Sequence, residues 1–327
     1  LESRGGRFVP VTPTEKIWMD GELVDWQDAT VHVLTHSLHY GMGVFEGIRA
    51  YETGNGPAIF RLTDHVRRLA RSAAIFGMEL SYSEDELAAA IRETVAASGL
   101  QSCYIRPLVY LGYGEMGLNP LPCPVKVAIA CWAWEAYLGE EGLRSGISLK
   151  VSSWARHDPR SVPTAAKGTG LYINSSLAKV EAIRGGYDEA LLLTTEGYVS
   201  EGTGENVFVV RSGVIHTPPS GAVGALEGIT AEAVRTLAAD LGYEVRESLL
   251  RRTDLYIADE VFLTGTAAEV VPVASVDDHR IADATPGPIT RAIQSIFDDA
   301  VRGRLDRYKD WLDYVTEEAP VGKEAGR

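Results

Sequence analysis

Two runs near the start of the chain alternate apolar and polar residues and turn on glycine: KIWMDGELVDW about Asp20-Gly21, and GIRAYETGNGPAIFRL about Gly54-Asn55-Gly56. Period-two alternation around such turns is the pattern of an antiparallel hairpin, so the chain opens as sheet. Helical spacing follows. In the second of two helices Ser83 and Glu86 form a capping box, Leu87, Ala90, Ile91 and Val95 share one face, and Gly99 stops the helix. The strands CYIRPLVYLG and VKVAIACWAW complete a first half of mixed character.

The stretch WAWEAYLGEEGLR is aromatic, then acidic and glycine-bearing, and reads as a connection between domains. Beyond it lie strands at SLKVSSW, EALLLTT, ENVFVV and EVFLTG. A helix from about Thr230 places Val234, Leu237, Ala238 and Leu241 on one face before Gly242. A chain of 327 residues, 45% hydrophobic, holds enough apolar material for two cores. The expectation is an α+β protein: a small N-terminal domain over 1–131, an interdomain loop over 132–144 and a larger C-terminal domain over 145–327. There is no internal repeat, and the end, EEAPVGKEAGR included, reads as frayed.

A formal net charge of −14 repels a phosphate backbone, which argues against nucleic acid or an anionic membrane as partner and leaves small molecules. Cys103, Cys123 and Cys131 are odd in number and lack CxxC spacing, so neither a disulfide framework nor a structural zinc site is expected. No run approaches the roughly 18 apolar residues of a membrane span, and LESRGGRFVPVTPTEK lacks the apolar core of a secretory signal. These features set the expectation of a cytoplasmic protein.

His32, His36 and His39 in HVLTHSLHYG would line one face of a helix, as metal ligands do. VHVL, however, alternates like a strand entering a loop and no nearby carboxylate completes a ligand set, so packing or hydrogen bonding is the favoured role and no metal is expected. Neither a G-x-S-x-G elbow nor a P-loop is present. LEGIT, residues 226 to 230, precedes an amphipathic helix whose N-terminus offers free N–H groups to an anion.

One lysine, Lys167 in PTAAKGTGLY, sits among small uncharged residues. Read together, LHYGMGVFEGIRAY, HVRRL, YIRPL, GEMGLNP, PTAAKGTGLY, SEGTGENVF, LEGIT and LTGTAAEV closely resemble the class IV, branched-chain family of pyridoxal-phosphate aminotransferases over residues 16 to about 315. The resemblance implies the two-domain fold type IV, with a small α/β N-terminal domain and a larger C-terminal domain built as a pseudo-barrel. It implies pyridoxal 5'-phosphate as cofactor and Lys167 as the catalytic residue that tethers it. Ala165, Ala166, Gly168 and Gly170 are then expected to leave room around that tether.

By the same similarity Glu201 in SEGTGEN faces the pyridine nitrogen, where a carboxylate keeps the ring protonated and able to accept electrons. Composition alone does not separate it from Glu205. Tyr172 would bond the ring hydroxyl and Arg68 would clamp the phosphate, with Leu226, Ile229, Thr230 and Thr266 completing the cofactor site. Arg67 and Arg71 are read as solvated.

On the substrate side, Tyr104 and Arg106 flank Ile105 and therefore share a strand face. Arg106 suits a second carboxylate, as glutamate or 2-oxoglutarate carries. Tyr40, Phe45, Trp134 and Tyr137 would cage a branched side chain, and the N–H groups of Thr266 and Ala267 would hold the α-carboxylate. The implied reaction is transamination of leucine, isoleucine or valine with 2-oxoglutarate, in at least a homodimer whose pocket is completed across the interface. Other readings of the same fold are a D-amino-acid or (R)-amine transaminase, an aminodeoxychorismate lyase and a non-catalytic relative. Two departures stand out: GTGLY where relatives often read GGNY, and Glu227 where a proline commonly precedes GIT, its side chain expected to point away from the phosphate.

Overall fold

The computed structural model describes residues 11–134, 139–281 and 286–315. Residues 135–138 of the expected interdomain loop, Tyr137 among them, and the expected frayed end lie outside them, whereas Gly139–Ser145 of that loop region is helical. The first hairpin pairs Lys16–Met19 with Glu22–Asp25, and Asp20 and Gly21 between them both take positive φ, 49° and 105°. That is the turn whose twist matches the strands it joins. In the second, Ile48–Thr53 pairs with Gly56–Phe60, and Thr53 already faces Gly56. The turn is therefore Gly54-Asn55 alone, and Gly56 opens the return strand.

These hairpins belong to one sheet in which Gly56–Phe60, Ile48–Thr53, Cys103–Leu111, Val125–Trp132, Lys16–Met19 and Glu22–Asp25 lie side by side, with Gly43–Phe45 also on Cys103–Leu111. Helices Leu62–Ile75 and Glu84–Ser98 cover one face, and Leu69, Leu87 and Ile91 pack on Ile48, Ile105 and Ile129. Each such side chain contributes about 2 kcal/mol through its buried apolar area. The capping box is formed: Ser83 Oγ accepts the Glu86 N–H and the Glu86 carboxylate accepts the Ser83 N–H at 2.8 Å.

A second sheet runs through Val199–Gly202, Glu189–Leu193, Ile147–Val151, Glu269–Val276, Glu260–Gly265, Asn206–Arg211, Val214–Thr217 and Val245–Glu247. It mixes parallel and antiparallel pairs. Its central strands are buried on both faces, which explains why ENVFVV and EVFLTG are near-continuous apolar runs. Phe208 and Phe262 pack under helices Ile229–Asp240 and Pro288–Val301, while Val207, Leu263 and Val271 fill the opposite side.

Three features depart from the sequence expectations. The last described strand, Leu312–Tyr314, returns to the first sheet and pairs with Gly56–Phe60. VHVL forms no strand, its residues 33–34 lying in a turn, and His36–Tyr40 is a short helix. The cause is local: His32 Nδ1 accepts the Leu34 N–H at 3.1 Å and the His32 carbonyl accepts the Thr35 N–H at 2.8 Å. Finally, helix Tyr172–Arg184 buries Asn174, Ser175, Ala178 and Ala182 and turns Ile173, Leu177, Val180 and Ile183 to the surface.

Candidate active site

The Lys167 segment is held by the first sheet. The Phe45 N–H donates to the Lys167 carbonyl at 3.0 Å, Val44 and Gly168 form a bridge, and the Lys167 N–H donates to Ser72 Oγ at 3.1 Å. Its amine donates to the Tyr172 hydroxyl at 2.7 Å and lies 5.0 Å from the centre of the Phe45 ring. The neighbouring glycines serve a different end from the room expected around the tether. A Cβ on Gly168 would strike the Phe76 ring, and one on Gly170 would meet the Gly41 carbonyl. Thr169, the departure in GTGLY, donates from Oγ1 to the Gly41 and Gly43 carbonyls at 2.9 and 3.2 Å. The glycines thus let two backbones approach, and the threonine ties them.

On one side of Lys167 lies a cleft lined by Arg68, Arg156, Tyr172, Glu201, Glu205, Leu226, Ile229, Thr230 and Thr266. All eight residues expected at the cofactor line it. Arg68, on the Leu62–Ile75 helix, donates from Nε and Nη2 to Glu46 at 2.6 and 2.9 Å and from Nη1 to the Glu227 carbonyl at 2.7 Å. Glu46 also meets His65 Nδ1 at 2.7 Å. Arg68 and His65 together pull the Glu46 carboxyl well below the usual carboxylate range despite its full burial. At His65 burial outweighs the opposing pull of Glu46 and lowers its pKa. Arg67 and Arg71 are exposed, and so is Glu227, which reaches this cleft only through its carbonyl bond to Arg68.

Opposite Arg68, Glu201 pairs with Arg156 Nη2 at 2.8 Å and accepts the Leu226 N–H at 3.0 Å. Glu205 instead turns back on the Gly204 N–H at 3.0 Å and lies near Glu189. Burial raises the pKa of both. At Glu201 the Arg156 charge and the Leu226 N–H oppose burial, whereas at Glu205 the Glu189 carboxylate reinforces it and pushes the pKa up to about 8. Glu201 thus faces a cation and an N–H donor, whereas Glu205 faces a second carboxylate.

On the other side of Lys167 an open pocket of about 640 Å³ is lined by Phe45, Tyr104, Arg106, Trp134, Thr266 and Ala267. Arg106 lies 4.6 Å from the Phe45 ring centre and donates to the Tyr104 hydroxyl at 3.2 Å. Gly47 admits that hydroxyl, since a Cβ there would overlap it. Tyr40 is not in this pocket: it is 42% exposed and packs against His36 and His39. His36 and His39 each meet a backbone carbonyl through Nε2, of Gly117 at 2.9 Å and of Val33 at 2.8 Å.

An amine thus stands between a cationic, N–H-rich end and a paired carboxylate, beside an aromatic pocket with its own arginine. Comparison with known proteins gives the arrangement its context. The family profile described as amino-transferase class IV matches residues 43–276. The chain belongs to the class IV aminotransferases. It is similar to the branched-chain-amino-acid aminotransferase of Pseudomonas aeruginosa, 51% identical over 91% of this chain and 97% of that protein. Among solved structures it resembles the Escherichia coli branched-chain amino acid aminotransferase, with a TM-score of 0.91 and 48% identity over 93% of this chain and 100% of that one. The branched-chain amino acid aminotransferase from Thermobaculum terrenum, in its PLP form, gives a TM-score of 0.87 and 38% identity, covering 93% and 99%.

The fold is type IV, and the enzyme is an aminotransferase that takes pyridoxal 5'-phosphate. The residues present fit that group. Arg68 and the N-terminus of the Ile229–Asp240 helix supply donors, Glu201 supplies the carboxylate, and Thr264, whose buried hydroxyl has no hydrogen-bond partner among the described residues, lines the same cleft. Arg156, Glu46 and His65 escaped the sequence reading. Glu46 stands within FEGIR, but nothing local to SWARHDPR marks Arg156.

Proposed function

We propose that this enzyme transfers the amino group of leucine, isoleucine and valine to 2-oxoglutarate. The observation that carries the reading is Arg106, a cation set in an otherwise aromatic wall beside Lys167. An apolar side chain packs on Phe45, Tyr104 and Trp134, whereas the distal carboxylate of 2-oxoglutarate pairs with Arg106, so one pocket serves both half-reactions. The names of the similar proteins support the same substrate class.

The cofactor supplies the electron sink for the carbanion at the substrate α-carbon. Lys167 would tether the cofactor, and its amine would move the proton at the substrate α-carbon. Tyr172, bonded to the Lys167 amine, orients it. Glu201 would face the ring nitrogen, with Arg156 opposing the burial that raises its pKa. Arg68 and the first N–H groups of the helix at Ile229 and Thr230 would hold the phosphate, and those of Thr266 and Ala267 would hold the α-carboxylate.

The decisive test is a panel of leucine, isoleucine, valine, D-alanine and (R)-1-phenylethylamine against 2-oxoglutarate and pyruvate. Preference for the branched-chain donors with 2-oxoglutarate is expected. Faster turnover of D-alanine or the amine would overturn the assignment.

A homodimer is proposed on the exposed apolar stripe Ile173, Leu177, Val180 and Ile183, together with Val33, Leu38 and Tyr40 at 70%, 63% and 42% exposure. Lys179 and Val180 from that helix also line the substrate pocket, so the interface runs to its rim. Sedimentation as a monomer would refute it. A cytoplasmic location is proposed on three cysteines that are all free and buried. Among the described residues no helix is long and apolar enough to cross a membrane.

A further inference from the structure

Strands Glu260–Gly265 and Glu269–Val276 are joined by the loop 266–268, which holds both residues assigned to the substrate α-carboxylate. Gly265 pairs with Glu269, so the loop is three residues long, and Glu269 closes it with φ +59°. Glycine is the usual occupant of such a left-handed position because a Cβ is strained there. Turn chemistry therefore gives no reason for a glutamate at this position.

The side chain supplies one. The Glu269 carboxylate accepts Arg49 Nη1 at 2.7 Å, with the two side chains 27% and 12% exposed. Arg49 belongs to the other sheet, on strand Ile48–Thr53, where it lies 4.7 Å from the Tyr51 ring centre and stands opposite Tyr104, which lines the substrate pocket. Burial, with Glu269 alongside, holds the Tyr51 phenol protonated far above its ordinary range. A partly buried ion pair thus reaches from the first sheet to the closing residue of the loop in the second.

We propose that Glu269 is a positioning residue for substrate. Through Arg49 it pins the Thr266–Ala267 turn to the first sheet, and so sets affinity for the α-carboxylate of amino acid and 2-oxo acid alike. The inference rests on the reading that this turn binds the α-carboxylate. It explains why a strained glutamate replaces the glycine that the hairpin would favour.

The test uses cofactor-loaded wild type, Glu269→Gly and Glu269→Gln. Binding of 4-methylpentanoate and of its neutral amide is read from the cofactor absorbance, alongside Tm and the kinetics of both half-reactions. Glycine relieves the backbone, so Glu269→Gly is expected to keep or raise Tm while weakening 4-methylpentanoate about tenfold. KM for leucine and for 2-oxoglutarate should rise by a similar factor, with kcat much less affected. Glu269→Gln should show a smaller loss of the same kind. Wild-type affinity in both variants would overturn the proposal, as would an affinity loss that merely follows a fall in Tm. If wild type binds the amide as tightly as the carboxylate, the underlying reading of the turn fails and the proposal falls with it. If wild type discriminates and the variants match it, only the role of Glu269 is lost.

Discussion

Replacing Arg156 with methionine removes the cation facing Glu201 and leaves the carboxylate where water cannot replace it. Both side chains are nearly solvent-free, 8% and 9% exposed, and their charged atoms lie 2.8 Å apart. Removing one partner of such a pair costs about 3–5 kcal/mol. The lost bond from Arg156 Nε to the Gly224 carbonyl, 3.0 Å long, adds about 1 kcal/mol. Glu201 escapes part of this by binding a proton. Burial already raises its pKa and loss of the cation raises it further. A carboxyl group whose folded pKa lies above its unfolded value destabilises the protein at pH above the unfolded value, and the penalty fades as pH falls toward it. The stability deficit of Arg156→Met should therefore be largest at pH 8 and shrink toward pH 5. A neutral acid also cannot hold the ring nitrogen protonated, so the leucine half-reaction should slow. In Arg156→Met/Glu201→Gln no charge is stranded: stability should recover in part while the rate does not. Urea unfolding from pH 5 to 8, with single-turnover kinetics, checks both. A single-variant cost below about 1 kcal/mol at pH 8, or additive losses in the double variant, would refute the reasoning.

Lys167→Ala should abolish turnover and leave borohydride no lysine on which to trap cofactor; peptide mapping of trapped cofactor to another lysine would contradict it. Arg106→Ala should lower kcat/KM for 2-oxoglutarate by about 2 kcal/mol, roughly 30-fold, and cost the leucine half-reaction far less, as separate single-turnover measurements will show. Equal losses would make Arg106 a support of the pocket wall. Glu205, its pKa pushed up to about 8, lowers stability progressively as pH rises from its unfolded value toward 8, because the unfolded chain gives up the proton first. Glu205→Gln should thus raise Tm by an amount that grows between about pH 5 and pH 8, and a pH-independent difference would rule this out.

What could be read from the sequence was what short-range pattern encodes. The hairpins at Asp20-Gly21 and Gly54-Asn55 and the box at Ser83 and Glu86 are local devices, and each formed. The cofactor-side residues were found because each sits inside a recognisable motif, and they converge on one cleft. Arg156 carries no such mark, because its meaning lies in a carboxylate 45 positions on that only the fold brings near. The helix Tyr172–Arg184 was missed for a physical reason: small and polar residues face inward and its apolar stripe faces out, so its pattern does not announce a core-facing helix. Tyr40 shares the LHYGMGVFEGIR motif with Phe45, yet five residues and a helix end separate an exposed ring from a pocket wall.

The return of Leu312–Tyr314 to the strand Gly56–Phe60 bears on how the chain is made. Leu312 and Phe60 stand roughly 250 positions apart, a span whose closure is entropically costly and slow. On a ribosome the edge of the first sheet waits on the order of tens of seconds for its last strand to be synthesised. Until then Gly56–Phe60 presents unpaired backbone, and Tyr51, Ala58 and Phe60 lack the Phe297 and Leu312 side chains that later bury them. The nascent half-molecule therefore carries an open, apolar strand edge, the kind of surface a chaperone shields and a neighbouring chain can capture. Completing the C-terminus is what seals the N-terminus.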